Sequence, residues 1–441
     1  MKNIELQPVK NFSLELDIKA SDKSLSHRSA MLALFTDGTS RVKNFLEAED
    51  TLCSLEIAKE LGLIVSKDKK DLLLKAPSEV LSKGLKTPSK TLDCGNSGTS
   101  IRLYTGLIAG ANINATLDGD KYLRARPMKR VIEPLTEIGA KIESSDFKAP
   151  LKLIPQGKLE GFHYKSKISS AQVKSALILA GLQADKDSTF KEPYLSRDHT
   201  ENMLLAFQKE KNIELKHDKI YINPLTKPLD AFDIEIANDP SSAFFFAVAA
   251  LLIPDSKVVL KNVLLNKTRI EAYKVLESMG ADIKYENIKE GYEKSGDIVV
   301  TYSPLKAVSV TENISWLIDE IPALSLAMAV ANGTSEIRNA KELRVKESDR
   351  IKATIAGLHA FGIETVEYES GFDIIGSALK KGEANSFGDH RIAMSFIIAS
   401  LASGGKVTDC ECINTSFPNF FDNLELILRS EHALEHEAKR R

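Results

Sequence analysis

The chain has 441 residues, 43% of them hydrophobic and 27% charged, a balance that excludes disordered and fibrous proteins and predicts two or three globular domains. With 59 Lys and Arg against 61 Asp and Glu the formal net charge is −2, so nucleic acid is not an expected partner. The longest apolar run, Ala243 to Ile253, is about half the roughly 20 residues that span a bilayer, which argues against a membrane partner.

Lys2, Glu5 and Lys10 break up any signal-peptide centre, and a cytoplasmic location is expected. Cys53, Cys94, Cys410 and Cys412 follow neither zinc-site nor redox-pair spacing, so they read as free thiols in a reducing compartment. No metal or organic cofactor motif is found.

In chain order, one element recurs six times: a small or polar start followed by an apolar, helix-length run. The starts fall at Ser26, Ser97, Ser170, Ser241, Pro322 and His390. The period is about 73 residues, short enough for one supersecondary unit. Between these runs a second helix is stopped by Gly62, Gly139, Asn212, Gly280 or Gly362 and followed at once by a β-like alternation. Gly and Asn accept the left-handed backbone of a helix stop. Six units of two helices plus strands therefore cover nearly the whole chain. The prolines of Asn223-Pro-Leu-Thr-Lys-Pro-Leu229 mark the expected switch between halves. Beyond Ser430 the chain reads as a charged helix or frayed tail, in which His432 and His436 share a face; a solvated face is favoured over a metal pair.

Cations stand at several of these helix starts, where the helix dipole disfavours them unless an anion offsets the cost. Lys23 and Arg28 flank the first run, Arg102 lies in the second, Lys174 in the third and Arg391 in the sixth. With the N–H groups of a helix start they suit phosphate or carboxylate. The small residues of Asp93-Cys-Gly-Asn-Ser-Gly-Thr-Ser-Ile-Arg102 fit either a capping turn or a phosphate cradle, with Arg126 downstream. Leu343-Arg-Val-Lys-Glu-Ser-Asp-Arg350 is the densest charge cluster. As a helix it puts Lys346 and Arg350 on one face and Glu347 beside Arg350, either as a solvated surface or as part of a site with Gly388-Asp-His-Arg391. Asp319, next to Glu320 before an apolar run, is either a cap or a base or hydroxyl-binding group among cations.

Taken together, Lys23-Ser24 with Arg28, Gly95-Asn-Ser-Gly-Thr99 with Arg102, Arg126-Pro127, Ser170-Ala-Gln172, Arg344-Val-Lys-Glu-Ser-Asp-Arg350 and Asp389-His-Arg391 resemble the 5-enolpyruvylshikimate-3-phosphate synthase family over essentially the full length. The resemblance implies an α/β (α+β) fold, a two-domain inside-out α/β barrel with three βαβαββ repeats per domain. One domain is discontinuous, residues 1–20 plus 229–441; the other spans 21–228, and the active site lies in the interdomain cleft. It also implies a monomer that transfers the enolpyruvyl group of phosphoenolpyruvate to the 5-hydroxyl of shikimate 3-phosphate, without a cofactor.

By the same resemblance Lys23, Ser24, Arg28, Ser170, Gln172, Arg197, Asp319 and Lys346 hold shikimate 3-phosphate. Lys23, Asn96, Gly98, Arg126, Gln172, Arg350 and Arg391 hold phosphoenolpyruvate, and Asp319, Glu347 and Lys23 are the catalytic residues. Leu103 departs from the family's usual proline, and Thr415 stands where many members carry a phosphate-contacting lysine.

Two rivals carry less. The related transferase acting on UDP-N-acetylglucosamine uses a loop cysteine, and Asp118 to Met128 contains none. A noncatalytic phospho-ligand or RNA-end binder needs basic surface without a base, which Asp319, Glu347 and the net charge argue against.

Overall fold

The computed structural model describes the backbone of residues 2–438 and side chains as far as residue 430. The side chains of His432 and His436 lie outside the described residues. The chain divides into two compact units, one of Met1–Ala20 with Ala237–Arg441 and one of Ser21–Ile236.

The Ser21–Ile236 unit carries three four-stranded sheets of one design. In each, two parallel strands are extended by an antiparallel pair, in spatial order first, second, fourth, third. Leu92–Asp93 runs parallel to Ala115–Asp118, which pairs antiparallel with Lys148–Ile154 and through it with Lys141–Ser145. His163–Lys165 opens the next sheet beside Ser188–Lys191. The remaining sheet takes its first strand, Asp233–Glu235, from the end of the unit and sets it beside Thr39–Lys43. Where the parallel neighbours follow one another in the chain, the crossover they require is a buried helix, Gly98–Ala111 in one sheet and Ala171–Gly181 in the next.

The other unit repeats the design. Ser13–Leu16, from the N-terminus, lies parallel to Lys257–Leu264, and Ser309–Val310 lies parallel to Thr334–Ile337. The sixth sheet is shorter: Gly382–Asn385, Gly405–Thr408 and the N-terminal Ile4–Leu6 form three strands. Here a second helix, Phe420–Ala438, still follows, but the hairpin of a full unit is replaced by a strand from the chain start.

Helices occupy the inside of each unit. Every residue of Pro240–Leu252 and Ile321–Ala329 is buried, as is nearly all of His390–Ser403, so these helices have no polar stripe. They pack on one another, and Phe246, Phe417 and Phe420 fill the space beside them. In the other unit Gly98–Ala111 crosses Ala171–Gly181 at Gly106, where an added Cβ would meet the Ala176 carbonyl oxygen at 2.1 Å. Only glycine permits that approach. Each unit is thus an α/β barrel turned inside out.

Two expectations shift. The crossing between units comes at Ile236–Ala237 rather than at residue 229, because Leu229–Asp230 and Asp233–Glu235 are sheet partners of Thr36–Asp37 and Thr39–Lys43. The two prolines after Asn223 therefore lie within one unit. Gly62, Gly139, Gly280 and Gly362 do stop their helices at positive φ, but Asn212 does not: the helix before it, His199–Phe207, already ends at Gln208. Among the described residues no helix is long and apolar enough to cross a membrane.

Candidate active site

The first inner helix begins at Lys23, three residues before the expected start, because Asp22 caps it by accepting from Leu25 N at 2.8 Å. Lys23 therefore occupies the first turn, where a cation is disfavoured, and its Nζ pairs with Asp50 of the Glu49–Glu60 helix. Ser24 follows. Arg28 is buried and reaches Thr200 Oγ1 at 2.7 Å, Ser175 Oγ at 2.9 Å and the Ser24 carbonyl at 3.0 Å. Between them His27 bonds Ser54 Oγ through Nδ1 at 2.7 Å. Burial, with Lys23 and Arg28 adding to it, pulls the imidazole well below its ordinary range.

The glycine-rich run is both a cap and a cradle. Ser97 Oγ accepts from Ser100 N at 3.1 Å, and Gly98 opens the helix. A Cβ on Gly98 would lie 2.8 Å from Arg102 Nη1 and 3.0 Å from Arg126 Nη2, so the missing side chain lets two guanidinium groups close over one helix N-terminus. Arg126 donates to the Asn96 carbonyl at 3.0 Å. Arg102 donates to Gln172 Oε1 at 2.7 Å, and Gln172 donates to Thr99 Oγ1 at 3.1 Å. Ser170 caps the Gln172 helix. Asn96, Gly98, Arg102, Arg126 and Gln172 thus form one group at two helix starts, with fixed donors and positive charge suited to an anion.

Arg197 lies in the segment before the His199–Phe207 helix. Lys174 corrects the sequence reading: its side chain is 0% exposed and pairs with Glu192 at 2.9 Å and Glu201 at 2.7 Å, so it is an internal ion rather than an anion-site cation.

The second cluster, in the other unit, is built around Arg350. This residue is 1% exposed and binds three carboxylates: Asp389 at 2.8 Å, Glu347 at 2.7 Å and Asp319 at 3.1 Å. Burial works against its charge, but Asp389, Glu347 and Asp319 outweigh that and raise its proton affinity. Asp389 also caps the last inner helix, accepting from Arg391 N at 2.8 Å. The Arg391 side chain sits over the Phe245 ring at 5.9 Å from the centroid. Its Nε and Nη1 are buried and have no hydrogen-bond acceptor among the described residues.

The expected helix through residues 344–350 does not form. Lys341–Val345 is a 3-10 turn, Lys346 is extended, and the helix starts at Arg350 with Asp349 as its cap. Lys346 pairs with Glu342 at 2.7 Å instead of sharing a helix face with Arg350. Glu347 still meets Arg350, from a loop. Asp319 is not the cap of the following helix; Glu320 holds that position without a capping side-chain bond.

Sequence reasoning missed Asp50 beside Lys23 and Thr200 beneath Arg28. It also missed the buried set of Asp239, Arg269, Ser241 and Glu320, in which Arg269 meets Asp239 at 2.9 Å and Ser241 Oγ at 3.0 Å while Ser241 donates to Glu320. Asp239 before Pro240 carried a capping signal; Arg269 and Glu320 had none.

Inner-helix starts lined with guanidinium groups in one unit, and carboxylates beside buried arginines in the other, define an α/β enzyme that works on small, multiply anionic substrates. The EPSP synthase family model, described as 3-phosphoshikimate 1-carboxyvinyltransferase, matches residues 6–424, and the chain belongs to this family. It is 53% identical over 435 residues to the 3-phosphoshikimate 1-carboxyvinyltransferase of Nitratiruptor sp., covering 98% of this chain and 99% of that one. It is 50% identical to that of Helicobacter hepaticus over 443 residues, covering 99% and 100%. Among solved structures, EPSP synthase from Acinetobacter baumannii superposes with a TM-score of 0.83 at 36% identity, over 96% of this chain and 98% of that one.

Proposed function

We propose that both clusters act on a single pair of substrates. The enzyme transfers the enolpyruvyl group of phosphoenolpyruvate to the 5-hydroxyl of shikimate 3-phosphate, releasing phosphate, in the shikimate pathway of aromatic amino-acid biosynthesis. Two phosphates and two carboxylates must be brought close together, so fixed cations have to offset their repulsion. Lys23, Ser24, Arg28, Ser170, Gln172, Arg197, Asp319 and Lys346 take shikimate 3-phosphate. Lys23, Asn96, Gly98, Arg126, Gln172, Arg350 and Arg391 take phosphoenolpyruvate. The observation that carries this is the buried Arg391 guanidinium, whose Nε and Nη1 have no acceptor among the described residues. Such groups are costly unless an anion meets them.

In the first step a proton adds to the methylene carbon of phosphoenolpyruvate, and the sugar 5-oxygen bonds to the neighbouring carbon, giving a tetrahedral intermediate. In the second the carbon–oxygen bond to phosphate breaks, and the methyl carbon returns a proton to restore the double bond. Asp319 accepts the hydroxyl proton; Glu347 and Lys23 serve proton transfer at the methylene carbon. Arg350 already holds Asp319 and Glu347. Binding of the substrate carboxylate to Arg350 requires an exchange at Nη1 or Nη2, which would release one of these groups for proton transfer.

Phosphate release from phosphoenolpyruvate is the test, expected only with shikimate 3-phosphate present. Release with UDP-N-acetylglucosamine instead would reverse the reading. The enzyme is also expected to be a monomer, to act in the cytoplasm and to bind no nucleic acid, to be checked by light scattering, fractionation and a binding titration against RNA.

A further inference from the structure

The most deeply buried ion cluster of the Ser21–Ile236 unit, Lys174 with Glu192 and Glu201, is made of side chains that are not themselves assigned to substrate. Lys174 lies one turn beyond Ser170, and two residues beyond Gln172, on the third inner helix of that unit and has no exposed side-chain surface. Its Nζ meets Glu192 Oε1 at 2.9 Å and Glu201 Oε1 at 2.7 Å, and donates to the Ser196 carbonyl at 3.2 Å. Glu192 Oε1 also accepts from Ser196 N at 2.8 Å and Ser196 Oγ at 3.1 Å. Ser196 is therefore held through its amide, its carbonyl and its hydroxyl, and Arg197 is the next residue. Glu201, the other partner, stands one position after Thr200, whose Oγ1 accepts from Arg28 Nε and bonds Ser175 Oγ at 2.7 Å.

An ammonium and two carboxylates buried together are an expensive way to fill a core. Apolar side chains of the same volume would do that at lower cost, but they would not fix three backbone and side-chain groups of Ser196. Lys174 keeps its proton because Glu201 and Glu192 together outweigh the desolvation that opposes it.

We infer that Lys174, Glu192 and Glu201 are positioning residues that hold the 192–200 segment against the third inner helix, so that Arg197 and the Thr200–Arg28 pair are preset for the phosphate of shikimate 3-phosphate. This rests on the assignment of Arg28 and Arg197 to that substrate. A preset segment gives no ordering entropy away on binding, so loosening it should act on one substrate selectively.

Glu192→Ala is the informative variant, because Lys174 keeps Glu201 and no buried ammonium is orphaned. Calorimetric titration with shikimate 3-phosphate should show about a tenfold weaker Kd, a loss of order one charged hydrogen bond. The KM for phosphoenolpyruvate should stay within about twofold, and Glu192→Gln, which keeps an acceptor oxygen, should recover most of the affinity. Should Glu192→Ala fail to fold, Ser196→Ala carries the same prediction at about threefold, since it removes one hydroxyl bond.

Equal loss for both substrates, or an unchanged Kd while Arg197→Ala weakens shikimate 3-phosphate, would overturn the positioning role and leave the site assignment standing. An unchanged Kd in Arg197→Ala would bring down the assignment and the inference with it.

Discussion

The two units share one repeat design but differ in the charge that predominates at their inner-helix starts. In Ser21–Ile236, Lys23, Arg28, Arg102 and Arg126 gather at these starts, and three of them donate to neutral oxygens of Thr200, Ser175, Gln172 and Asn96. In the other unit the starts carry Asp239, Glu320 and Asp389, and the buried arginines Arg269 and Arg350 are matched to carboxylates. The same N-terminal dipoles thus face mainly side-chain donors in one unit, Asp22 apart, and mainly acids in the other, Arg391 apart. Repetition fixes where side chains are displayed, while the chemistry is set by which few residues are placed there.

The sharpest way to break this contrast is to remove the cation that the acids surround. Arg350→Met leaves Asp389, Glu347 and Asp319 without their shared partner, and urea unfolding should show a loss of about 3–5 kcal/mol. A loss below about 1 kcal/mol would mean that the three carboxylates do not depend on it.

Gly98→Ala probes the donor-rich unit. Its Cβ meets only the far ends of Arg102 and Arg126, so stability should change by less than about 1 kcal/mol. The displaced guanidinium groups should raise the KM for phosphoenolpyruvate about tenfold, the worth of one charged hydrogen bond.

His27 gives an effect confined to acid pH. Its proton affinity in the folded chain is depressed by burial, Lys23 and Arg28, so the unfolded chain takes up the extra proton first. Stability is therefore unaffected above about pH 6.5. Below it, stability falls by up to about 1.4 kcal/mol per pH unit until the folded imidazole also titrates. His27→Gln should flatten that acid slope in denaturation measured from pH 7 to pH 5.

Much of this was legible in the sequence, for identifiable reasons. Most of the six helices were readable because a helix buried on all sides is largely apolar, as Pro240–Leu252 and Ile321–Ala329 are, and Gly62, Gly139, Gly280 and Gly362 announce their turns. Starts were misjudged where the cap preceded the apolar run: Asp22 moves the first helix back to Lys23. Lys174 was misread because spacing shows that a cation sits on a helix but not that Glu192 and Glu201 arrive from 18 and 27 residues away. Lys346 was misplaced because i, i+4 spacing means adjacency only inside a helix, and the chain is extended there. Arg269 was invisible for the same reason as Lys174: its partners are set by tertiary packing.

The central claim is a division of labour, with Arg126 binding phosphoenolpyruvate and Asp319 moving a proton. Titrating phosphoenolpyruvate against initial rate in Arg126→Ala and Asp319→Ala tests it directly. Arg126→Ala should raise KM by about tenfold or more with kcat largely kept. Asp319→Ala should lower kcat by about 10²–10⁴-fold with KM little changed. Near-normal kcat in Asp319→Ala, or a fall in kcat at unchanged KM in Arg126→Ala, would contradict the account.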